Sequence, residues 1–204
     1  MAINGNRLAV LIIGFSFIQT ANAQPLSEPR IQPLPESEWN ETQREILSTF
    51  GQRAQSLNVF TTIARHEELA RDWFEFTRQL LGETSLPLRE RELVILRTGW
   101  LCQSEYEWGQ HSLIALNAGL SEEEVLRVAT GPDAAGWNDQ DSLLLRAVDE
   151  LSENKFVSDA SWSGLAEIYS EKQMIDLVFT VGQYTMLSMA LKTFGVQLDG
   201  GLAG

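Results

Sequence analysis

The chain has 204 residues, with 15 Lys plus Arg against 28 Asp plus Glu and a formal net charge of -13. A surface this acidic repels phosphate backbones and anionic bilayers, which argues against nucleic acid and membranes as partners and leaves a small-molecule substrate open. The single cysteine, Cys102, permits no intramolecular disulfide, so stability must come from core packing.

At the N-terminus Arg7 precedes an apolar run from Leu8 to Ile18, and Ala21-Asn22-Ala23 has the small-x-small form of a cleavage site. These features predict a signal peptide over 1–23 and a secreted or periplasmic mature protein. The run is shorter than the ~20 residues of a membrane span, and no later segment is read as long and apolar enough to replace it. Removing Arg7 takes the charge from -13 to -14. About 180 residues then remain, enough for one domain with a hydrophobic core. The segment 24–35, rich in proline, is expected to form an extended arm able to reach a neighbouring subunit.

Beyond the arm, helical periodicity alternates with short breaks, and no β-branched run alternates with period two. The pattern predicts an all-α fold with helices over 38–50, 57–64, 67–82, 87–102, 104–117, 121–129, 138–152, 158–169 and 171–194. Pro87 suits a first helical turn and Gly119 a left-handed helix end. Ser121 with Glu124, and Ser170 with Gln173, have capping-box spacing. On the last helix Ile175, Val178, Phe179, Gly182, Met186 and Met189 form a stripe that fits a core or a subunit interface, and core is the reading favoured.

Only His66 and His111 can titrate as imidazoles near neutrality. His66, in the polar stretch Ala64-Arg65-His66-Glu67-Glu68, reads as solvated or capping. His111 follows Glu107 by one helical turn on the same face, with Ser104 two turns before it. That spacing offers a carboxylate and an imidazole that can hold and pass a proton. It equally fits a surface i,i+4 ion pair, which spacing alone favours.

The segments Arg91-Glu92-Leu93-Val94-Ile95-Leu96-Arg97, Glu105-Tyr106-Glu107-Trp108 with His111, Ala118-Gly119-Leu120-Ser121 and Gly182-Gln183-Tyr184 closely resemble the carboxymuconolactone decarboxylase and alkylhydroperoxidase D superfamily. The similarity runs from about Leu34 to Gly200. It implies a compact single-domain helical fold over 36–200 that assembles as a homo-oligomer, a trimer or hexamer, with active sites near subunit contacts.

In the alkylhydroperoxidase branch a Cys-x-x-Cys pair stands seven and four residues before the histidine, and a glutamate on the preceding helix serves a proton relay. Those places fall on Ser104, Glu107 and Glu92, so both thiols are missing and the dithiol mechanism loses its attacking and resolving groups. Cys102, nine residues from His111, is read as a buried small hydrophobe on the opposite side of a helix.

A relay without thiols resembles the decarboxylase branch, which acts on unsaturated lactone acids without a cofactor. The resemblance then implies His111 as proton donor, Glu92 or Glu107 orienting it, Tyr106 or Tyr184 supplying a hydroxyl, and Trp100 and Trp108 walling the pocket. Export sets the protein apart from cytoplasmic aromatic degradation, so the substrate is expected to be another small organic acid, lactone or secondary metabolite. Isomerisation, hydration and ring closure fit the same pair as readily as decarboxylation. A peroxidase-like antioxidant protein and a non-catalytic oligomeric ligand-binding protein are the alternatives. No metal is expected, since one histidine with two carboxylates lacks a distinctive ligand spacing. Phosphate-binding glycine loops and serine-hydrolase motifs have no support.

Overall fold

Leu93, Val94, Ile95 and Leu96 have no solvent exposure at all, and a helix apolar on every side belongs at the centre of a helical protein. The computed structural model describes residues 26–49, 51 and 55–200, so the segment 1–23, expected to be a signal peptide, lies outside it. After a 3-10 turn at Glu36–Glu38, the helices are α1 (Glu41–Ser48), α2 (Asn58–Ile63), α3 (Glu67–Gly82), α4 (Leu88–Leu101), α5 (Glu105–Asn117), α6 (Glu122–Thr130), α7 (Asp139–Asn154), α8 (Asp159–Ala166) and α9 (Glu171–Phe194). No strand occurs among the described residues.

The helical region that the sequence presents as one body divides into two compact units. Thr84–Met189 forms one, and the described residues 26–83 with 190–200 form the other.

In the first unit α4 packs against α5, α6 and α7. Leu93, Leu96, Trp108, Leu144, Leu145 and Leu177 are among the side chains that fill its core, each stabilising by roughly 1.5–3 kcal/mol on burial. Arg91, Glu92, Arg97 and Thr98 of α4 are buried as well. Arg97 donates to Asp149 of α7 at 2.6 and 2.9 Å, and to the carbonyls of Val128 and Ala129 in the last turn of α6 at 2.9 and 3.0 Å. A cation there also faces the negative end of the α6 dipole.

Helix boundaries follow the chemistry of their ends. Gly119, at φ +102°, lets the chain close α5 with a Schellman pair, Gly119 N–H to Leu116 O and Leu120 N–H to Ala115 O. The Ser121 and Glu124 capping box is closed in both directions, as are the reciprocal bonds of Ser170 and Gln173.

In the second unit, the arm's Arg30 and Ile31 N–H groups donate to the carbonyl of Phe194, and Leu34 N–H donates to Thr61 O. Phe60, Trp73 and Phe74 form an aromatic cluster with centroids 5.2–6.1 Å apart. His66 caps α3, accepting from Leu69 N–H at 3.4 Å.

Several expectations need correction. The helix expected over 38–50 is interrupted because Asn40 and Gln43 form a reciprocal capping box that starts α1 at Glu41. Pro87 stands just outside α4, at its N-cap. The arm bonds its own chain, where two of its N–H groups meet the terminal carbonyl of α9. Cys102 is half-buried, since it caps the C-terminus of α4 where the helix opens.

The α9 stripe is exposed: Ile175 is 58% exposed, Phe179 53% and Met189 64%. The core face lies nearly opposite, about 150° away, through Met174, Leu177, Val181, Tyr184 and Leu187. With apolar residues on both faces, α9 is also long and apolar enough to cross a membrane, contrary to the expectation that no such segment follows the N-terminus. Its best window has mean hydropathy 1.3 with 56% of the window buried, and the core helix of a soluble protein meets the same criterion.

Replacing Arg97 by Met strands two buried carbonyls and the Asp149 carboxylate, and is expected to destabilise the protein by about 3 kcal/mol. The check is the midpoint of urea unfolding at unchanged m-value; an unmoved midpoint would show these bonds to be idle.

Candidate active site

Helices α4 and α5 form an antiparallel hairpin whose turn is unusually tight. Gln103 adopts a left-handed conformation at φ +53°, and Ser104 N–H returns to the carbonyl of Gly99 at 2.9 Å. Gly99 permits the close approach: a Cβ there would stand 3.3 Å from Glu107 Cβ and 3.6 Å from Glu107 Oε2. Two turns back along α4 from Gly99, and one turn forward along α5 from Glu107, the hairpin brings Glu92 opposite His111.

His111 Nδ1 lies 2.7 Å from Glu92 Oε2. The other carboxylate oxygen accepts from Arg91 at 2.8 Å (Nε) and 2.7 Å (a terminal nitrogen). Glu92 has no solvent exposure and His111 only 7%. Burial alone would raise the Glu92 pKa, but His111 and Arg91 together hold it below the usual carboxylate value. An ionised Glu92 is acceptor only, so the imidazole presents Nδ1–H to it and its second nitrogen, Nε2, remains for chemistry. Tyr184 of α9 meets the imidazole edge to face, with centroids 4.9 Å apart at 89°. Its phenol is pushed well above the normal value by burial and by the negative charges of Glu92 and Glu107, so it stays a hydrogen-bond donor.

Glu107 is the second carboxyl of the site, and the expected i,i+4 pair with His111 does not form. His111 bonds to Glu92 instead, while Glu107 Oε2 accepts from the Ser188 hydroxyl of α9. The reason is competition: the ion pair across the hairpin has short, charge-assisted geometry that the helix-face spacing does not provide. With no cation beside it, Glu107 is pushed up by burial to about 8, against smaller opposing contributions from Ser188 and the nearby Ser104.

The remaining expected residues are placed as follows. Trp100 and Trp108 stack at 5.3 Å and 57° and belong with the apolar core, and Tyr106 is buried on α5. Arg91 and Ser188 were not singled out from the sequence. Arg91 is adjacent to Glu92 in the motif and carried a signal, whereas Ser188 had none. Glu92, Glu107 and His111 do not form a metal ligand set, nor do any three His, Cys, Asp or Glu among the described residues.

Because Glu107 ionises near 4.5 when unfolded and near 8 when folded, the unfolded state binds fewer protons between those values. Its contribution to stability is full below the unfolded pKa and is lost as pH rises through 8. Glu107→Gln removes that loss, so the variant should gain on the wild type between pH 5 and 8, by on the order of 5 kcal/mol at the plateau. Parallel denaturation curves across this range would show that Glu107 is ionised in the folded protein.

The carboxymuconolactone decarboxylase family pattern matches residues 67–150, which include Glu92, Glu107 and His111. No curated protein matches the sequence. Among solved structures, an uncharacterised peroxidase-related protein of the alkylhydroperoxidase AhpD core type from Ralstonia eutropha JMP134 has a TM-score of 0.74 at 19% identity, covering 86% of this chain and 96% of its own. An uncharacterised peroxidase-related protein from Silicibacter sp. TM1040 has a TM-score of 0.70 at 15% identity, with coverages of 91% and 98%. The apo form of a debrominase has a TM-score of 0.70 at 15% identity, with coverages of 84% and 93%. Identities this low show a shared fold and leave chemistry to the site. The carboxymuconolactone decarboxylase family pattern thus lies over the α4–α5 hairpin, and the helical fold is shared with structures of the alkylhydroperoxidase AhpD core type.

Proposed function

We propose that this protein is a cofactor-independent acid–base enzyme, decarboxylase-like, acting on a small unsaturated organic acid or lactone. The observation that carries this reading is the buried His111–Glu92 pair at 2.7 Å, which fixes the imidazole and leaves Nε2 for the substrate. When carbon dioxide leaves a vinylogous acid, the electron pair spreads into the conjugated carbonyl, and a proton must reach carbon. Protonated His111 gives it through Nε2, and Glu92 stabilises the imidazolium before and during transfer. Arg91 keeps Glu92 anionic, and the Tyr184 hydroxyl is suited to stabilising the enolate oxygen.

The peroxidase-related fold likenesses favour a second reading, hydroperoxide reduction. It is weaker because Ser104 and Glu107 stand where that chemistry needs two thiols. The exposed α9 stripe supports a homo-oligomer, and the N-terminal sequence supports export to a secreted or periplasmic location.

His111→Gln should lower turnover of unsaturated lactone acids by about 10²–10⁴-fold with an unchanged circular dichroism spectrum; full activity in the variant would remove the proposal. For the assembly, Ile175→Glu with Met189→Glu is expected to reduce the mass measured by light scattering to that of one chain. An unaltered oligomer would move the interface elsewhere.

A further inference from the structure

Ser104-Glu105-Tyr106-Glu107 has the spacing of a capping box, with Ser104 at the N-cap of α5 and Glu107 at its third residue. Ser104 N–H is already bonded to the Gly99 carbonyl, so closing the box would satisfy the Glu107 N–H, and a Ser cap contributes about 1 kcal/mol. The same Ser-x-x-Glu spacing closes at Ser121 and Glu124. At α5 it stays open: Ser104 makes no side-chain cap bond, and Ser104 Oγ and Glu107 Oε1 are both buried without a hydrogen-bond partner. Glu107 is 2% exposed and has only the Ser188 hydroxyl on its other oxygen. A cap left open beside a buried carboxyl oxygen that stays unpaired marks a group available for chemistry.

Its surroundings are arranged with those of His111. The two side chains leave one face of α5 one turn apart, with Cβ atoms roughly 5–6 Å from each other. Helix α9 sets two residues against them, likewise one turn apart: Tyr184 on His111 and Ser188 on Glu107. His111 and Arg91 hold Glu92 ionised, whereas burial keeps Glu107 uncharged up to about pH 8. Carboxyl groups driven to opposite protonation states identify a base side and an acid side.

We infer that Glu107, held by Ser188, is a second proton-carrying group beside His111, and that the pair fits a 1,3-proton shift in an unsaturated acid or lactone, an allylic isomerisation. This inference rests on the acid–base reading of the Glu92–His111 pair. Neutral His111 takes a proton from the carbon between the carbonyl and the double bond, and becomes an imidazolium against Glu92. The C–H electron pair enters the conjugated system as a dienolate. Glu107 then gives its proton to the far end of the former double bond, which moves into conjugation with the carbonyl. Glu107 is left as a carboxylate, and the proton on His111 replaces the one it gave, so no net proton, electron or co-reactant is consumed. Decarboxylation needs one proton donor only; a second, separately held acid is what isomerisation requires.

The experiment uses the full mature protein with α-angelica lactone, a β,γ-unsaturated five-membered lactone, in D2O followed by NMR. Two rates are read above background: deuterium entry at the α-carbon, and formation of the conjugated isomer. The wild type is expected to do both, and His111→Gln neither. Glu107→Gln should keep α-deuterium exchange while isomerisation falls by about 100-fold or more, and Glu107→Asp should recover part of it. If Glu107→Gln does not fold, Ser188→Ala should show the same split to a smaller degree. Wild-type isomerisation in the Glu107 variant overturns the inference and leaves the dyad intact. Equal loss of both rates in a folded variant also overturns it, because Glu107 then acts only through His111. A wild-type protein that exchanges no α-proton overturns the dyad reading and this inference together.

Discussion

The first compact unit is organised by the need to pair charges on a helix that has no solvent-facing side. A carboxylate with no exposure, such as Glu92, is tolerated only where cations and hydrogen bonds replace its lost water. That requirement sets neighbours as well as energy. Glu92 needs His111, which fixes α5 alongside α4; Arg97 needs Asp149 and the end of α6, which fixes α7 and α6. Apolar side chains alone would fill the same volume in many relative positions. The ion pairs select one, at some expense in raw stability compared with an all-apolar core.

The same constraint explains why two glutamates on adjoining helices behave so differently. Glu92 lies between an imidazole and a guanidinium, and Glu107 lies between two serines. Chemical identity is shared, and the local field decides which is charged. Burial on one side, and an imidazole with an arginine on the other, create the difference.

Much of the helical outline was legible in the sequence because helix ends carry local chemistry. The Ser121 and Ser170 boxes and Gly119 act within a turn of their own position, and they marked boundaries correctly. The reciprocal bonds of Asn40 and Gln43 carried the same kind of signal and went unread. Pairing across helices was less legible. His111 and Glu107 advertise a pair by spacing, yet the stronger partner arrives from nineteen positions away, through a turn whose tightness depends on Gln103 and Gly99. On α9 periodicity could not choose the inward face, because two apolar stripes lie about 150° apart and each would serve as a core. The family resemblance supplied Glu92, a residue that no local rule would have matched to His111.

The glycine at position 99 sets how closely two helices can lie. A methyl group there would stand 3.3 Å from the Cβ of Glu107, so α5 would have to give by a few tenths of an ångström. The bare α-carbon is therefore a spacer by omission: it fixes the depth at which the helix carrying Glu107 and His111 rests on α4.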